Sequence, residues 1–353
     1  MALWVDYYRP KYFSDLDYHK EKSLKLKTLI DSGDFPHLLF HGPSGAGKKT
    51  RISCLLREIY GLNVDKLKLE QFSFTTPSNK KLEIDTLSSN YHIECNPSEV
   101  GIYDRIVIQE LIKSTAQTQQ LDLGKQKSFK VIVLSEVNKC TKDAQYALRR
   151  TMEKYITTCR MILCTNSLSK ITPAIKSRCL CIRISSPTIN EIKDILYKIA
   201  QNENIEIPDE FAISLAKKSN GNLRKCILTL QACKVQKYPF KSAQHIESLD
   251  WEIYIEETAT LILSEQTPKR LLEVRDRLYE LLVHCIPSEI IIRELLKHLI
   301  LSCDDLTKEE TIKWAAFYEH RLQKGNKAIF HLEAFVAKFM SYYKKFIESS
   351  FFA

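Results

Sequence analysis

Glycine is scarce in this sequence, with 9 residues in a chain of 353, which argues against collagen-like, linker-like and turn-dense all-β architectures. No apolar run approaches the ~20 residues that span a bilayer. The first residues also lack the basic-then-apolar order of a signal peptide. No C-x-x-C pair occurs among the 11 cysteines, so they form no metal framework. We therefore expect a soluble intracellular protein with buried free thiols and no membrane partner.

Acidic residues are outnumbered, since 43 Asp and Glu face 52 Lys and Arg, and the formal net charge is +9. Hydrophobic residues make up 44% and charged residues 27%, a composition that excludes a largely disordered chain. At roughly 150 residues per domain, the length predicts two or three domains. The positive excess allows an anionic partner such as nucleic acid without requiring one.

The first half of the chain alternates two kinds of hydrophobic pattern. Short apolar runs of strand type occupy residues 36–41, 129–134 and 160–165. Helix-type spacing covers residues 49–60 and 144–155. This alternation predicts βαβ units on a parallel sheet. After about residue 183 the strand pattern fades, and the rest of the chain is predicted to be helical, with a linker near residues 238–250.

The strongest chemical signal is the loop G-P-S-G-A-G-K-K-T between the first predicted strand and its helix. Glycines let several backbone N–H groups converge on a phosphate, the following helix N-terminus favours negative charge, and a lysine meets the terminal phosphates. The pattern predicts nucleotide binding, the alternative being an empty, vestigial loop. The predicted phosphate-binding residues are Gly42, Gly45, Ala46, Gly47, Lys48, Lys49 and Thr50.

Two positions that normally hold Mg²⁺ are altered. The hydroxyl residue that should follow Lys48 is replaced by Lys49, and a hydroxyl arrives one residue later at Thr50. The apolar strand that should end in a metal-holding Asp runs into Ser135, followed by Glu136 at the position of the water-polarising carboxylate. Phosphoryl transfer depends on positioning and charge neutralisation. We therefore expect the site to bind nucleotide but to hydrolyse it slowly or not at all, with the role of Mg²⁺ left open.

Three further motifs resemble one family. They are L-W-V-D-Y-Y-R-P at residues 3–10, A-L-R-R-T-M-E-K-Y at 147–155 and I-K-S-R-C at 175–179. Together with the phosphate loop, they resemble the AAA+ small subunits of eukaryotic replication factor C, a clamp loader. The resemblance implies an AAA+ α/β domain at 1–185, a three-helix lid at 186–238 and an all-α collar at 250–353. The cysteines of the zinc module found in bacterial relatives are absent, so no zinc is expected.

The resemblance also implies a function. Such a subunit joins a heteropentamer of replication factor C chains in the nucleus. The assembly uses ATP to load the sliding clamp PCNA at primer–template junctions in DNA replication and repair. The cofactor of this chain would be ATP or ADP.

Residue roles follow from the family positions. Arg178 is expected to act as an arginine finger on the ATP of a neighbouring subunit, although lone arginines are usually structural. The expected adenine contacts are Val5, Arg9 and Pro10. Asn166 and Arg224 are expected to sense the nucleotide, and Arg105 and Lys142 are expected to contact the DNA backbone.

Two other functions compete with this interpretation. One is an autonomous AAA+ ATPase acting on DNA, such as a branch-migration motor or a remodeller. Lys49 and Ser135 argue against it, because both replace residues that hold the metal. The other is a structural scaffold whose phosphate loop binds nothing.

Overall fold

The computed structural model of the protein describes residues 2–33, 35–75, 81–117, 129–241, 244, 246, 248–325 and 327–351. Its helices and strands, in chain order, are α1 (Trp4–Tyr7), α2 (Lys20–Asp31), β1 (Leu38–His41), α3 (Lys48–Tyr60), β2 (Lys68–Thr75), β3 (Lys81–Ser88), β4 (His92–Cys95), α4 (Asp104–Gln117), β5 (Lys130–Leu134), α5 (Lys142–Lys154), β6 (Cys159–Thr165), α6 (Pro173–Lys176), β7 (Leu180–Arg183), α7 (Ile189–Asn202), α8 (Asp209–Lys218), α9 (Leu223–Gln236), α10 (Asp250–Ser264), α11 (Pro268–Val283), α12 (Ser288–Leu301), α13 (Asp305–Lys324) and α14 (Ala328–Phe351). The chain divides into two compact units, Met1–Ile246 and Glu247–Ala353.

The first unit contains a seven-stranded sheet in the order β2-β3-β4-β5-β6-β1-β7. Strands β4, β5, β6, β1 and β7 run parallel, as predicted from the alternating pattern. Strands β2 and β3 form an antiparallel hairpin that extends the sheet beyond β4, and the sequence patterns did not predict it. Strand β1 lies between β6 and the edge strand β7, so the loop after β1 emerges beside the loop that follows β6.

Helices cover both faces of this sheet. Along β5, Ile132 and Leu134 join the buried cluster that includes α4 and α5. Val131 and Val133 join the cluster on the other face, with α2 and α3. A parallel sheet buried on both faces needs such continuous apolar strands. Because parallel strands end at a common edge, the loops after β1, β5 and β6 lie side by side, where open α/β sheets bind ligands.

Helices α7, α8 and α9 form a separate buried cluster in the same unit, and the first residues of the chain pack on it. The Trp4 backbone N–H donates to Oε1 of Gln231 at 3.0 Å. The Tyr8 hydroxyl donates to Oε1 of Glu203 at 2.7 Å, and this hydrogen bond raises the pKa of Tyr8 to about 12. The start of the chain is therefore held by helices that follow it by about two hundred positions.

The second unit consists of α10 to α14, which confirms the prediction of an all-α C-terminal region. Its core is apolar and contains a residue or more from each helix, among them Ile255, Val274, Leu295, Ala315 and Phe335. Within the residues that the structure describes, none of the helices is both long enough and apolar enough to cross a membrane.

Candidate nucleotide-binding site

The phosphate loop connects β1 to α3. Gly45 and Gly47 have φ angles of 74° and 75°, in the left-handed region that side chains rarely adopt. A Cβ atom on Gly45 would lie 1.8 Å from Oδ1 of Asn222, at the start of α9. Glycine at position 45 therefore permits both the turn of the loop and the close approach of the lid helices.

Lys48 opens α3 and is only 8% exposed. Its ammonium donates to three oxygens, which are the carbonyls of Gly42 at 2.7 Å and Pro43 at 2.8 Å and Oδ1 of Asn166 at 2.8 Å. Burial is the main cause that lowers the pKa of Lys48. The structure thus brings together the predicted phosphate lysine and the predicted sensing asparagine.

The loop borders a cavity of about 400 Å³, which we call the phosphate cavity. It is lined by the predicted residues Gly45, Gly47, Lys48, Lys49, Thr50, Asn166 and Arg224, together with Ser44, Ser135 and Glu136. Strands β3 and β4 complete it, with Asp85 and Glu94 among their contributions. Gly42 and Ala46 do not line it. Ala46 is fully buried, and its carbonyl accepts from the Tyr18 hydroxyl at 2.9 Å.

A second cavity, of about 590 Å³, lies on the other side of the loop, and we call it the base cavity. All three predicted adenine contacts, Val5, Arg9 and Pro10, line it, as do Ile195 and Ile227 of the lid helices. Gly45, Gly47, Thr50 and Arg224 line both cavities. The phosphate cavity is lined by loop backbone and cations, and the base cavity is rich in aromatic and aliphatic side chains. Together they fit a nucleotide whose phosphates lie at the loop.

The positions expected to hold Mg²⁺ are engaged differently. Lys49 Nζ lies 2.5 Å from Glu94 Oε1, and the Ser135 hydroxyl donates to the same oxygen at 3.4 Å. Glu136 adopts a left-handed φ of 52° and pairs with Lys139 at 2.6 Å. Among the residues that the structure describes, no three His, Cys, Asp or Glu side chains cluster as a metal site requires. The carboxylates of Glu94 and Glu136 are thus both paired with lysines of the same chain.

Glu94 is the residue that sequence reasoning missed. It stands in β4, where it is in register with Val133 of β5, and Ser135 follows two residues later. We expect a lysine in a phosphate cavity to pair with a carboxylate. The sequence offers several acidic residues as partners of Lys49 and does not choose among them. Only the pairing of β4 with β5 selects Glu94.

Arg178 stands apart from both cavities, between α6 and β7. Its Nε donates to Oε1 of Glu153 at 2.6 Å, and a terminal nitrogen donates to the Ala174 carbonyl at 2.8 Å. The residue lies at the surface, and 34% of its side chain is exposed. It is not among the residues that line the phosphate cavity or the base cavity. The structure therefore keeps Arg178 away from the nucleotide site of its own chain.

A groove of about 470 Å³ lies between α4 and α5 and carries several cations. Arg105 lines it, and so do Arg149, Arg150 and Lys154. Lys142, the other predicted DNA contact, is the exposed first residue of α5 and does not line the groove. The structure therefore groups Arg105 with three cations and leaves Lys142 outside the group.

Comparisons with known proteins agree with this architecture. The family model described as "Replication factor C subunit 3, C-terminal domain" matches residues 251–347. The model of the "RCF1/5-like, AAA+ ATPase lid domain" matches residues 194–235. The model described as "DNA polymerase III, delta subunit" matches residues 18–188.

Curated relatives match over nearly the whole chain. Replication factor C subunit 3 of Bos taurus is 59% identical over 99% of this chain and 98% of its own. The Homo sapiens protein of the same name is 58% identical with the same coverage. Replication factor C subunit 5 of Schizosaccharomyces pombe is 47% identical over 97% of this chain and 96% of its own.

Among solved structures, the chain is similar to the RuvB Holliday junction branch migration motor of Thermotoga maritima. The TM-score is 0.51 at 16% identity, over 77% of this chain and 85% of that one. A variant of the same motor gives a TM-score of 0.53 at 16% identity, over 84% and 91%. At this level of identity the likeness concerns the fold alone, which is the P-loop AAA+ fold.

Proposed function

This chain belongs to the replication factor C subunit family, and from that membership we propose that it is a small subunit of a clamp loader. The assembly, a heteropentamer in the nucleus, uses ATP to load the sliding clamp PCNA at primer–template junctions in DNA replication and repair. The partners of the chain are the other replication factor C subunits, PCNA and primer–template DNA. Its three parts are an AAA+ domain at 1–185, a lid at 186–238 and a collar at 250–353.

The observation that carries the nucleotide part of the proposal is the environment of Lys48. A buried ammonium fixed between the loop carbonyls and Asn166 marks where the phosphates of ATP or ADP bind. Gly42, Ala46 and the other loop residues shape the backbone around it, and Arg224 approaches from the lid.

The same site is poorly equipped for hydrolysis. Ser135 replaces the metal-holding aspartate, and Lys49 replaces the hydroxyl residue. Glu136, where a water-polarising carboxylate belongs, pairs with Lys139 instead. Catalysis of phosphoryl transfer rests on charge neutralisation and positioning. The chain therefore holds its nucleotide with slow hydrolysis or none.

Arg178 contributes to catalysis in trans. Its exposure and its position outside both cavities suit a side chain that reaches the ATP of a neighbouring subunit. Such a finger stabilises the charge that develops on the transferred phosphoryl group.

DNA is bound through its backbone. Arg105 and the cations that share its groove present positive charge on adjacent helices, which gives contacts that depend on salt and not on base sequence. Lys142, at the start of α5, adds a further contact outside that groove.

The test compares the full chain with Lys48→Ala and with Lys27→Ala, which removes an exposed lysine paired with Glu58 outside the cavities. We expect wild type and Lys27→Ala to retain ADP or ATP after native purification, detected by mass spectrometry, and Lys48→Ala to lose it. Hydrolysis by the lone wild-type chain should not exceed that of Lys48→Ala.

Two outcomes would contradict the proposal. ATP hydrolysis by the lone chain that Lys48→Ala abolishes would favour the autonomous ATPase acting on DNA. Absence of nucleotide from the wild-type chain, with no shift in its melting temperature on adding ADP or ATP, would favour the scaffold with a vestigial loop.

A further inference from the structure

The phosphate cavity contains an ion pair that belongs to the protein itself. Lys49 Nζ and Glu94 Oε1 are 2.5 Å apart, and both residues line the cavity together with Lys48. The Glu94 side chain is 17% exposed and that of Lys49 is 49% exposed, so the carboxylate is the more fixed member. Glu94 therefore anchors the Lys49 ammonium at the mouth of the cavity.

We propose that the Lys49–Glu94 pair takes the place of the divalent metal, so that this site binds nucleoside di- or triphosphates without Mg²⁺. The inference rests on the proposed nucleotide site and specifies the form of its ligand. Glu94 is a positioning residue in it, because it acts by holding Lys49 rather than by touching the nucleotide.

Three of the oxygen donors that line the cavity support this assignment. Glu94 is paired with Lys49, and Glu136 is paired with Lys139 at 2.6 Å. The Thr50 hydroxyl accepts from Nε of Arg9 at 3.3 Å. Each of these three donors thus already has a cationic partner within the chain. A divalent ion would have to displace those partners and would stand beside the Lys49 ammonium, which repels it.

The cations of the cavity are the groups that would meet a metal-free polyphosphate. Lys48, Lys49 and Arg224 line it together with the carboxylates of Asp85, Glu94, Glu99 and Glu136, of which Glu94 is paired with Lys49 and Glu136 with Lys139. In a magnesium-dependent loop the metal neutralises part of the phosphate charge. Here the Lys49 side chain supplies one positive charge that is a permanent part of the protein. The site then has no need of the metal for ground-state binding.

The test is a titration of the full chain with a fluorescent ADP analogue, in excess Mg²⁺ and in excess EDTA. We expect the wild-type Kd in the two media to agree within about twofold. Lys49→Met should weaken binding about tenfold in EDTA, since it removes a cation and leaves the Glu94 carboxylate facing the phosphates. Added Mg²⁺ should restore most of that loss, because Glu94 is then free to bind the metal.

Two further variants complete the experiment. Glu94→Gln should weaken binding in EDTA, but by less than Lys49→Met does, because Lys49 keeps its charge and loses only the carboxylate that holds it in place. Lys27→Met is a matched control, because it breaks the pair between Lys27 and Glu58, and Glu58 stands on α3 as Lys49 does. It should behave as wild type in both media. Thermal melting of each variant checks that it is folded.

The outcomes separate the two proposals. Wild-type binding that weakens tenfold or more in EDTA would overturn the metal-free site while leaving nucleotide binding intact. A Lys49→Met variant with wild-type affinity in EDTA would do the same. Absence of binding by wild type in both media would overturn the proposed nucleotide function, and the metal-free site with it.

Discussion

Among the cationic side chains proposed to meet ATP phosphates, the structure surrounds Lys48 and Arg178 in opposite ways. Lys48 is 8% exposed, and its own site supplies three oxygen partners. Arg178 lies at the surface, held by Glu153 and by the Ala174 carbonyl. Because all three N–H groups of Lys48 are donated within its own site, it must exchange one of these oxygens for a phosphate oxygen, and it can serve only a ligand bound there. An exposed arginine is available to a ligand of another chain.

The free-energy cost of leaving its partners also differs between Lys48 and Arg178. Burial lowers the pKa of Lys48, because an ammonium removed from water is stable only where oxygens surround it. The Arg178–Glu153 pair is exposed, and exposed ion pairs contribute about 0–1 kcal/mol. Arg178 can therefore leave Glu153 at little cost, whereas Lys48 cannot leave its site.

The largest expected effect breaks the exposed side of this contrast. In the assembled complex, Arg178→Ala should lower hydrolysis at the neighbouring site by about 10³-fold, because the transition state loses its cation in trans. The measurement is DNA-stimulated ATPase together with PCNA loading. Glu153→Gln should leave both within about twofold, because it weakens only a surface pair.

A control for that experiment is Lys176→Ala, which removes a lysine two positions away without touching the arginine. If Arg178→Ala left ATPase and clamp loading unchanged, or if Lys176→Ala reduced them equally, Arg178 would not be the group that acts on the neighbour.

The second prediction tests the buried side at the phosphate loop. Gly45→Ala should cost about 2 kcal/mol of unfolding free energy, and it should weaken nucleotide binding. The alanine would have to adopt a left-handed φ, and its Cβ would lie 1.8 Å from Oδ1 of Asn222. Gly33→Ala is a matched control, since Gly33 has a φ of 79° with nothing within 4 Å. It should cost about 1 kcal/mol, through strain alone. Equal urea-unfolding costs for both variants would show that Asn222 does not restrict the loop.

The smallest effect extends the contrast to histidine. Burial lowers the pKa of His37, whose Nδ1 accepts from the Met161 N–H at 3.0 Å. The unfolded chain therefore binds more protons than the folded one below the ordinary pKa of about 6.5, and stability falls as the pH drops through that value. The slope is at most about 1.4 kcal/mol per pH unit for this group.

Thermal melting at about pH 7.5 and about pH 5.5 measures that slope. His37→Gln should flatten the pH dependence, because its side chain does not titrate. His284→Gln, at an exposed histidine, should leave it unchanged. An unaltered slope for His37→Gln would assign the acid sensitivity to other groups.

Much of this architecture could be predicted from the sequence because its signals are local. Apolar runs predicted β1, β5 and β6. The glycine-rich loop was predicted between the first strand and its helix. Lys48 and Asn166 were assigned separately, and the structure brings their side chains within 2.8 Å. Each assignment needed only the neighbouring residues in the chain or a family motif.

The parts that escaped prediction depend on pairing between distant segments. The hairpin of β2 and β3 carries only short alternations, Phe72-Ser73-Phe74 in β2 and Leu82-Glu83-Ile84 in β3, and no continuous apolar run marks it. Glu94 gains its role only when β4 pairs with β5 and brings it to Lys49. No spacing along the chain encodes that contact.

The hydrogen bond from Trp4 to Gln231 joins positions 227 residues apart and fixes one wall of the base cavity. Chains emerge from the ribosome in order, and their early parts begin to fold first. The phosphate loop and its strands are therefore made well before the helix that holds Trp4. During synthesis the Trp4 N–H therefore lacks its partner Gln231 until α9 has been translated, and only then can the nascent chain form a complete nucleotide pocket.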